Sequence, residues 1–185
     1  MIVLTGFEKF GHFTENLSEK ITQIFPETIQ DIPIIKKVLP VSWRFCFEVY
    51  KNLLKTINIK PELVVMMGVY LGKRILIERY GWNIAIGLDY YNKYRFGFIK
   101  LTDPLRETPN IDFKKLISII NKPNKISLSS YPGFYLCNYI YFQALYMGKG
   151  NYPIVFIHLP SKWDIQDLKN NIIHIINVII SDEKK

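Results

Sequence analysis

Lys60-Pro61-Glu62-Leu63-Val64-Val65-Met66-Met67-Gly68 is a loop that leads into an unbroken apolar run closed by a glycine. Pro61 removes a backbone donor and biases Lys60 away from the helical region, so the first three residues read as a connection. Leu63 to Met67 shows none of the alternation of a strand with one wet face, and reads as a strand buried on both faces. Such strands belong to mainly parallel sheets covered by helices on both sides.

The flanking sequence repeats the pattern. On the N-terminal side, Ile2 to Thr5 is a short apolar strand closed by Gly6, and Asn16 or Ser18 can cap a helix through Phe25. Ile32 to Val41 reads as a strand, and Ser42 as the cap of a helix whose Phe45, Val49, Leu53 and Ile57 recur at helical spacing. On the C-terminal side, Arg74 to Ile86 has β character, and the Tyr-rich run Tyr90-Tyr91-Asn92-Lys93-Tyr94 leads into an extended Phe96 to Leu101. Helices are expected over Ile111–Ile120, Tyr135–Met147 and Ile165–Ile180, the last capped by Asp164, with strands over Lys125–Ser129 and Pro153–His158. This alternation predicts a three-layer α/β/α sandwich with a mainly parallel, twisted mixed sheet, a single domain over 1–185, and a site at the carboxyl ends of the strands.

Composition narrows the function. The net charge is +8, but the basic residues fall in scattered pairs such as Lys36-Lys37 and Lys73-Arg74, which reads as a solvated surface and not as a nucleic-acid stripe. Cys46 and Cys137 are the two cysteines, with no CxxC and no zinc spacing among the three histidines, so no metal or cofactor is expected. The start Met1-Ile2-Val3-Leu4-Thr5-Gly6 lacks the features of a secretory leader, and no run is long enough to span a bilayer, so a soluble, cytoplasmic protein without membrane partners is expected.

The chemistry-bearing residues lie near the strand ends. Cys137 stands in the first turn of the Tyr135–Met147 helix, after the turn Tyr131-Pro132-Gly133, where free amides and the helix dipole favour negative charge on sulfur and can receive an oxyanion. The same position also suits a buried structural cysteine. His158 ends its strand just before Leu159-Pro160, at the edge where a base would emerge, or where a histidine simply bonds a strand end. His174, among isoleucines of the last helix, reads as packing or surface. Glu78, after Ile75-Leu76-Ile77, either pairs with Arg79 or Arg74 or orients the His158 ring. Phe7 and Phe10, in a loop Gly6-Phe7-Glu8-Lys9-Phe10-Gly11 that follows the first strand, either wall a ligand slot or cover the core. Gly68-Val69-Tyr70-Leu71-Gly72-Lys73-Arg74 lacks the spacing and the Ser or Thr of a phosphate loop, and Gly148-Lys149-Gly150 reads as a helix stop.

Five collinear segments carry a family resemblance: Leu4-Thr5-Gly6-Phe7-Glu8-Lys9-Phe10-Gly11; Leu39-Pro40-Val41; Lys60-Pro61-Glu62-Leu63-Val64 with Gly68; Ile77-Glu78-Arg79 with Asn83; and Gly133-Phe134-Tyr135-Leu136-Cys137-Asn138 with Phe156-Ile157-His158-Leu159-Pro160. From residue 2 to about 166 they resemble the pyroglutamyl peptidase I (pyrrolidone-carboxylate peptidase) family. The resemblance implies a cysteine-type omega peptidase removing N-terminal pyroglutamate through a thioester, with Cys137 as nucleophile, His158 as base and acid, and Glu78 as the orienting carboxylate. It also implies Phe7 and Phe10 enclosing the lactam ring, and a homo-oligomer, commonly a tetramer. The chain departs from the family pattern at Leu88, which stands where an arginine near the oxyanion is usual, and at His12, Leu17 and Val69; it also has one residue fewer between Gly68 and Glu78. Those departures set up an alternative, a non-catalytic or re-specialised relative that binds a small ligand or a protein partner.

Overall fold

In chain order the elements are β1 (Ile2–Phe7), α1 (Leu17–Ile24), β2 (Thr28–Ile29), β3 (Ile32–Leu39), α2 (Phe45–Ile57), β4 (Leu63–Tyr70), β5 (Ile75–Glu78), β6 (Gly81–Trp82), β7 (Ile84–Leu88), β8 (Tyr94–Phe98), β9 (Arg106–Glu107), α3 (Phe113–Ile120), β10 (Ile126–Ser129), α4 (Leu136–Gly148), β11 (Ile154–Pro160) and α5 (Ile165–Glu183). The computed structural model describes residues 1–9, 15–122 and 124–183. The main sheet has the order β10-β5-β11-β4-β1-β3-β2. Neighbours are parallel except β11 with β5 and β2 with β3. The mainly parallel mixed sheet expected from the buried apolar runs is therefore present.

Strand periodicity divides the core in two. Ile2 and Leu4, with Val65 and Met67, face a layer that includes Ile21 of α1, Leu116 of α3 and Ile172 of α5. Val3 and Phe7, with Val64, Met66 and Phe156, face Tyr50 of α2 and Ile140 and Ala144 of α4. Each fully buried large apolar side chain contributes roughly 1.5–3 kcal/mol. α4 is apolar nearly all round because it is buried nearly all round, with the sheet on one side and β6, β7 and β9 packed on the other.

Local signals set the helix starts. Asn16 Oδ1 accepts from the Ser18 amide at 2.9 Å and Ser18 Oγ from the Phe7 amide at 3.0 Å, fastening α1 to the end of β1. A Cβ on Gly6 would lie 2.2 Å from the Ser18 carbonyl, so only glycine admits this approach. Ser42 Oγ accepts from the Phe45 amide at 3.3 Å, and Asp164 Oδ1 from Gln166 and Asp167 at 2.8 and 3.1 Å. Lys149, left-handed at φ 37°, stops α4 as the Gly-Lys-Gly segment suggested.

Boundaries differ in three instructive places. β1 continues through Gly6 to Phe7, and β4 continues through Gly68 to Tyr70. Arg74 to Ile86, one extended region in the sequence, divides into β5, β6 and β7, which belong to three different sheets.

Candidate active site

Strand register builds the site. On the face covered by α4, His158 of β11 is paired with Gly68 of β4, and the β1–β4 register, with Thr5 opposite Met66, brings Phe7 beside Gly68. Phe7, Gly68 and His158 thus form a row across the carboxyl ends of three parallel strands. β5 runs antiparallel to β11 with His158 opposite Leu76 and Ile157 opposite Ile77, so Glu78 falls beside Phe156, one step deeper on the same face as His158.

Above this row stands the first turn of α4. A Cβ on Gly68 would lie 2.6 Å from Cys137 Sγ, so the thiol fills the space that a side chain at 68 would take. The Cys137 thiol is close enough to the His158 ring to act directly on its proton affinity. His158 Nδ1 lies 2.7 Å from Glu78 Oε1, leaving Nε2 as the nitrogen available to the sulfur. Glu78 is completely buried and His158 nearly so. The pairing of Glu78 with Arg79 or Arg74, open in the sequence, gives way to His158.

Burial alone would lower the basicity of His158. The neighbouring Cys137, followed by the hydrogen bond and charge of Glu78, outweighs it and pushes the imidazole up from 6.5 to about 9. Cys46 makes the contrast: it is fully buried within α2, and burial pushes its thiol up out of the useful range.

The donors for an oxyanion follow from the helix start. The first ladder bond of α4 runs from the Tyr139 amide to the Tyr135 carbonyl at 3.0 Å, so the amides of Leu136, Cys137 and Asn138 lie ahead of the helix's own hydrogen bonds. They lie at the positive end of the helix dipole, in the same turn as Cys137.

Several supporting residues carried no assigned role in the sequence. Asn138, fully buried, accepts from the Trp82 amide at 2.7 Å and donates to the carbonyls of Trp82 and Ile84 at 2.8 and 2.7 Å, clasping β6 and β7 to α4. Asp89 Oδ2 accepts from the Trp43 amide and Oδ1 from the amides of Tyr91 and Lys93. Trp43 Nε1 donates to the Gly87 carbonyl, and the Tyr135 hydroxyl to that of Leu88. The Asp-Tyr-Tyr-Asn turn was the available sequence signal for Asp89, since a carboxylate that bonds amides two and four residues on is a common turn device. No comparable local signal marks Asn138.

Phe7 is not in a loop. It ends β1, is 5% exposed, and packs in the α2/α4 core while bordering the cleft on the side away from His158. Phe10 and His12 lie outside the described residues. Leu88 is half exposed at the end of β7, and His174 is half-buried on α5, whose apolar face packs on the opposite side of the sheet.

The family model for pyroglutamyl peptidase matches residues 1–172. The chain belongs to the pyroglutamyl peptidase family. It is 31% identical over 173 residues to a pyrrolidone-carboxylate peptidase of Thermococcus litoralis, covering 86% of this chain and 76% of the relative. It is likewise 31% identical over 169 residues to one of Brachyspira hyodysenteriae, covering 85% and 82%. The fold matches the pyrrolidone carboxyl peptidase structure from Thermococcus litoralis with a TM-score of 0.89 at 23% identity, over 100% of this chain and 96% of that one. It also matches pyroglutamyl peptidase I of Bacillus amyloliquefaciens with a TM-score of 0.87 at 18% identity, over 97% and 96%. Membership in the pyroglutamyl peptidase family makes this chain a cysteine peptidase of that type, and the reading as a non-catalytic relative is not favoured. Among the described residues, no helix is long and apolar enough to cross a membrane.

Proposed function

We propose that the protein removes N-terminal pyroglutamate from peptides, with Cys137 as nucleophile, His158 as general base and acid, and Glu78 holding the imidazole. The observation that carries this reading is the Cys137–His158–Glu78 array over Gly68 at the start of α4. The sulfur attacks the carbonyl that joins pyroglutamate to the next residue, and the oxyanion meets the first-turn amides. His158 Nε2 gives its proton to the departing amine, and the S-acyl bond replaces the amide bond. Water, deprotonated by His158, then adds to the thioester, and the thiol returns.

Phe7 borders the acyl side and supports a slot for a flat lactam, whose apolar face it would cover. A fluorogenic pyroglutamyl amide should be cleaved at least about a hundredfold better than the matching prolyl amide, because proline lacks the ring carbonyl and carries a charge. Equal rates on the two, or no cleavage of either by reduced, folded protein, would overturn the assignment.

The exposed stripe on β8 supports assembly into a homo-oligomer. Tyr94, Phe96 and Phe98 are 67%, 75% and 54% exposed on one face of a two-stranded hairpin, with Tyr90, Tyr91 and Leu88 adjoining them. Exposed aromatic side chains gathered on one hairpin are the kind of surface that interfaces bury. Phe96→Lys should shift the mass in light scattering to that of one 21.8 kDa chain, whereas the parent measures a multiple of it. A parent that is already monomeric removes the proposal.

A further inference from the structure

We propose that Tyr70 walls the subsite for the residue following the pyroglutamate, and that the protein prefers an aromatic or other large apolar residue there; this rests on the cleavage proposed above. Tyr70 is the last residue of β4, two beyond Gly68 and therefore on the same face, and it is paired with Pro160 two beyond His158. It is next to the base in the direction of the cleft mouth. Its ring centroid is 5.8 Å from that of His158, with Phe156 at 4.9 Å as the deeper neighbour.

The chemistry fixes where the departing chain must lie. His158 has to reach the leaving nitrogen, which places the next residue on the His158 side of Cys137 and away from Phe7. Inward of His158 that side is filled by Phe156 and Glu78, both completely buried. The departing residue therefore runs outward past Tyr70.

Tyr70 is built as a fixed surface. Its hydroxyl donates to the Arg74 carbonyl at 2.6 Å, and the Arg74 amide lies 3.4 Å from the same oxygen. The 71–74 turn closes tightly on the ring, since a Cβ on Gly72 would come within 2.1 Å of it. The ring remains partly exposed, and the neighbouring Leu71, 90% exposed, extends the apolar surface. A pre-positioned aromatic plane binds a substrate side chain without first being ordered. Covering one apolar side chain against it corresponds to about a tenfold preference.

The test compares kcat/KM for pyroglutamyl-Phe-amide and pyroglutamyl-Gly-amide, with release of the amino-acid amide measured by mass spectrometry. The parent protein should favour the Phe substrate about tenfold, Tyr70→Phe should keep that ratio, and Tyr70→Ala should bring it to within about twofold of one. A ratio near one in the parent protein, which needs no variant, overturns the subsite, as does an unchanged ratio in Tyr70→Ala. Cleavage of both substrates at equal rates would remove the subsite and leave the cleavage assignment standing. Cleavage of neither would remove both.

Discussion

Cys137→Ala is expected to lower kcat/KM on a pyroglutamyl amide by at least about ten-thousandfold in a protein that stays folded. The activity loss is large because the sulfur forms the covalent bond, and the remaining amides and imidazole can only polarise a bound carbonyl. The fold persists because a single half-buried sulfur is removed from the space beside Gly68, and the stability cost that remains comes from the His158 proton, which Cys137 helps to hold. No second thiol can stand in: Cys46 is inaccessible and burial keeps it protonated. Steady-state rates on the two proteins, with circular dichroism to establish folding, decide the matter. Turnover retained within tenfold of the parent in a folded Cys137→Ala variant would end the nucleophile assignment.

The parts of the molecule legible in the sequence are those fixed by local chemistry. Leu63 to Met67 announced a buried strand through five successive apolar residues, and Asn16 and Asp164 announced helix starts through side chains that bond amides two residues on. Gly68 misleads for the same reason: taken locally, a glycine after an apolar run looks like a stop. Its purpose lies 69 residues further on, where Cys137 Sγ occupies the vacant Cβ position. Glu78 posed a similar problem. Nothing within a few residues distinguishes a carboxylate paired with Arg79 from one paired with His158, because the choice is made by antiparallel pairing of β5 with β11. Phe7 carried a loop expectation because Gly6 precedes it, yet it ends a strand and packs into the core. Asn138 and Tyr70 went unassigned because their partners, on β6 and β11, are remote in sequence.

Glu78→Gln is expected to reduce kcat by roughly a thousandfold or more and to move the alkaline limb of activity downward. Glutamine preserves the volume and an oxygen for Nδ1, so the ring has a partner, but the negative charge facing the imidazolium is gone. That charge matters because Glu78 is completely buried and its second oxygen has no partner among the described residues, so His158 is what compensates it. In the parent protein the imidazolium survives to about pH 9, held against burial by Cys137 first and Glu78 second. Removing the second of these lowers that value by a unit or more, on the usual scale for a hydrogen-bonded opposite charge. Stability changes in the same sense. A proton bound more tightly in the folded chain than at 6.5 in the unfolded one stabilises fully below pH 6.5 and is lost as pH rises through about 9. For this shift the contribution is on the order of 3 kcal/mol. The parent should therefore lose melting temperature between pH 6 and 9.5, and Glu78→Gln should show a shallower decline over the same range. A purely packing role for Glu78 makes a different prediction, a loss of stability that is the same at every pH together with an unmoved alkaline limb. Histidine titration by NMR, read beside the pH profile of kcat/KM, separates the two.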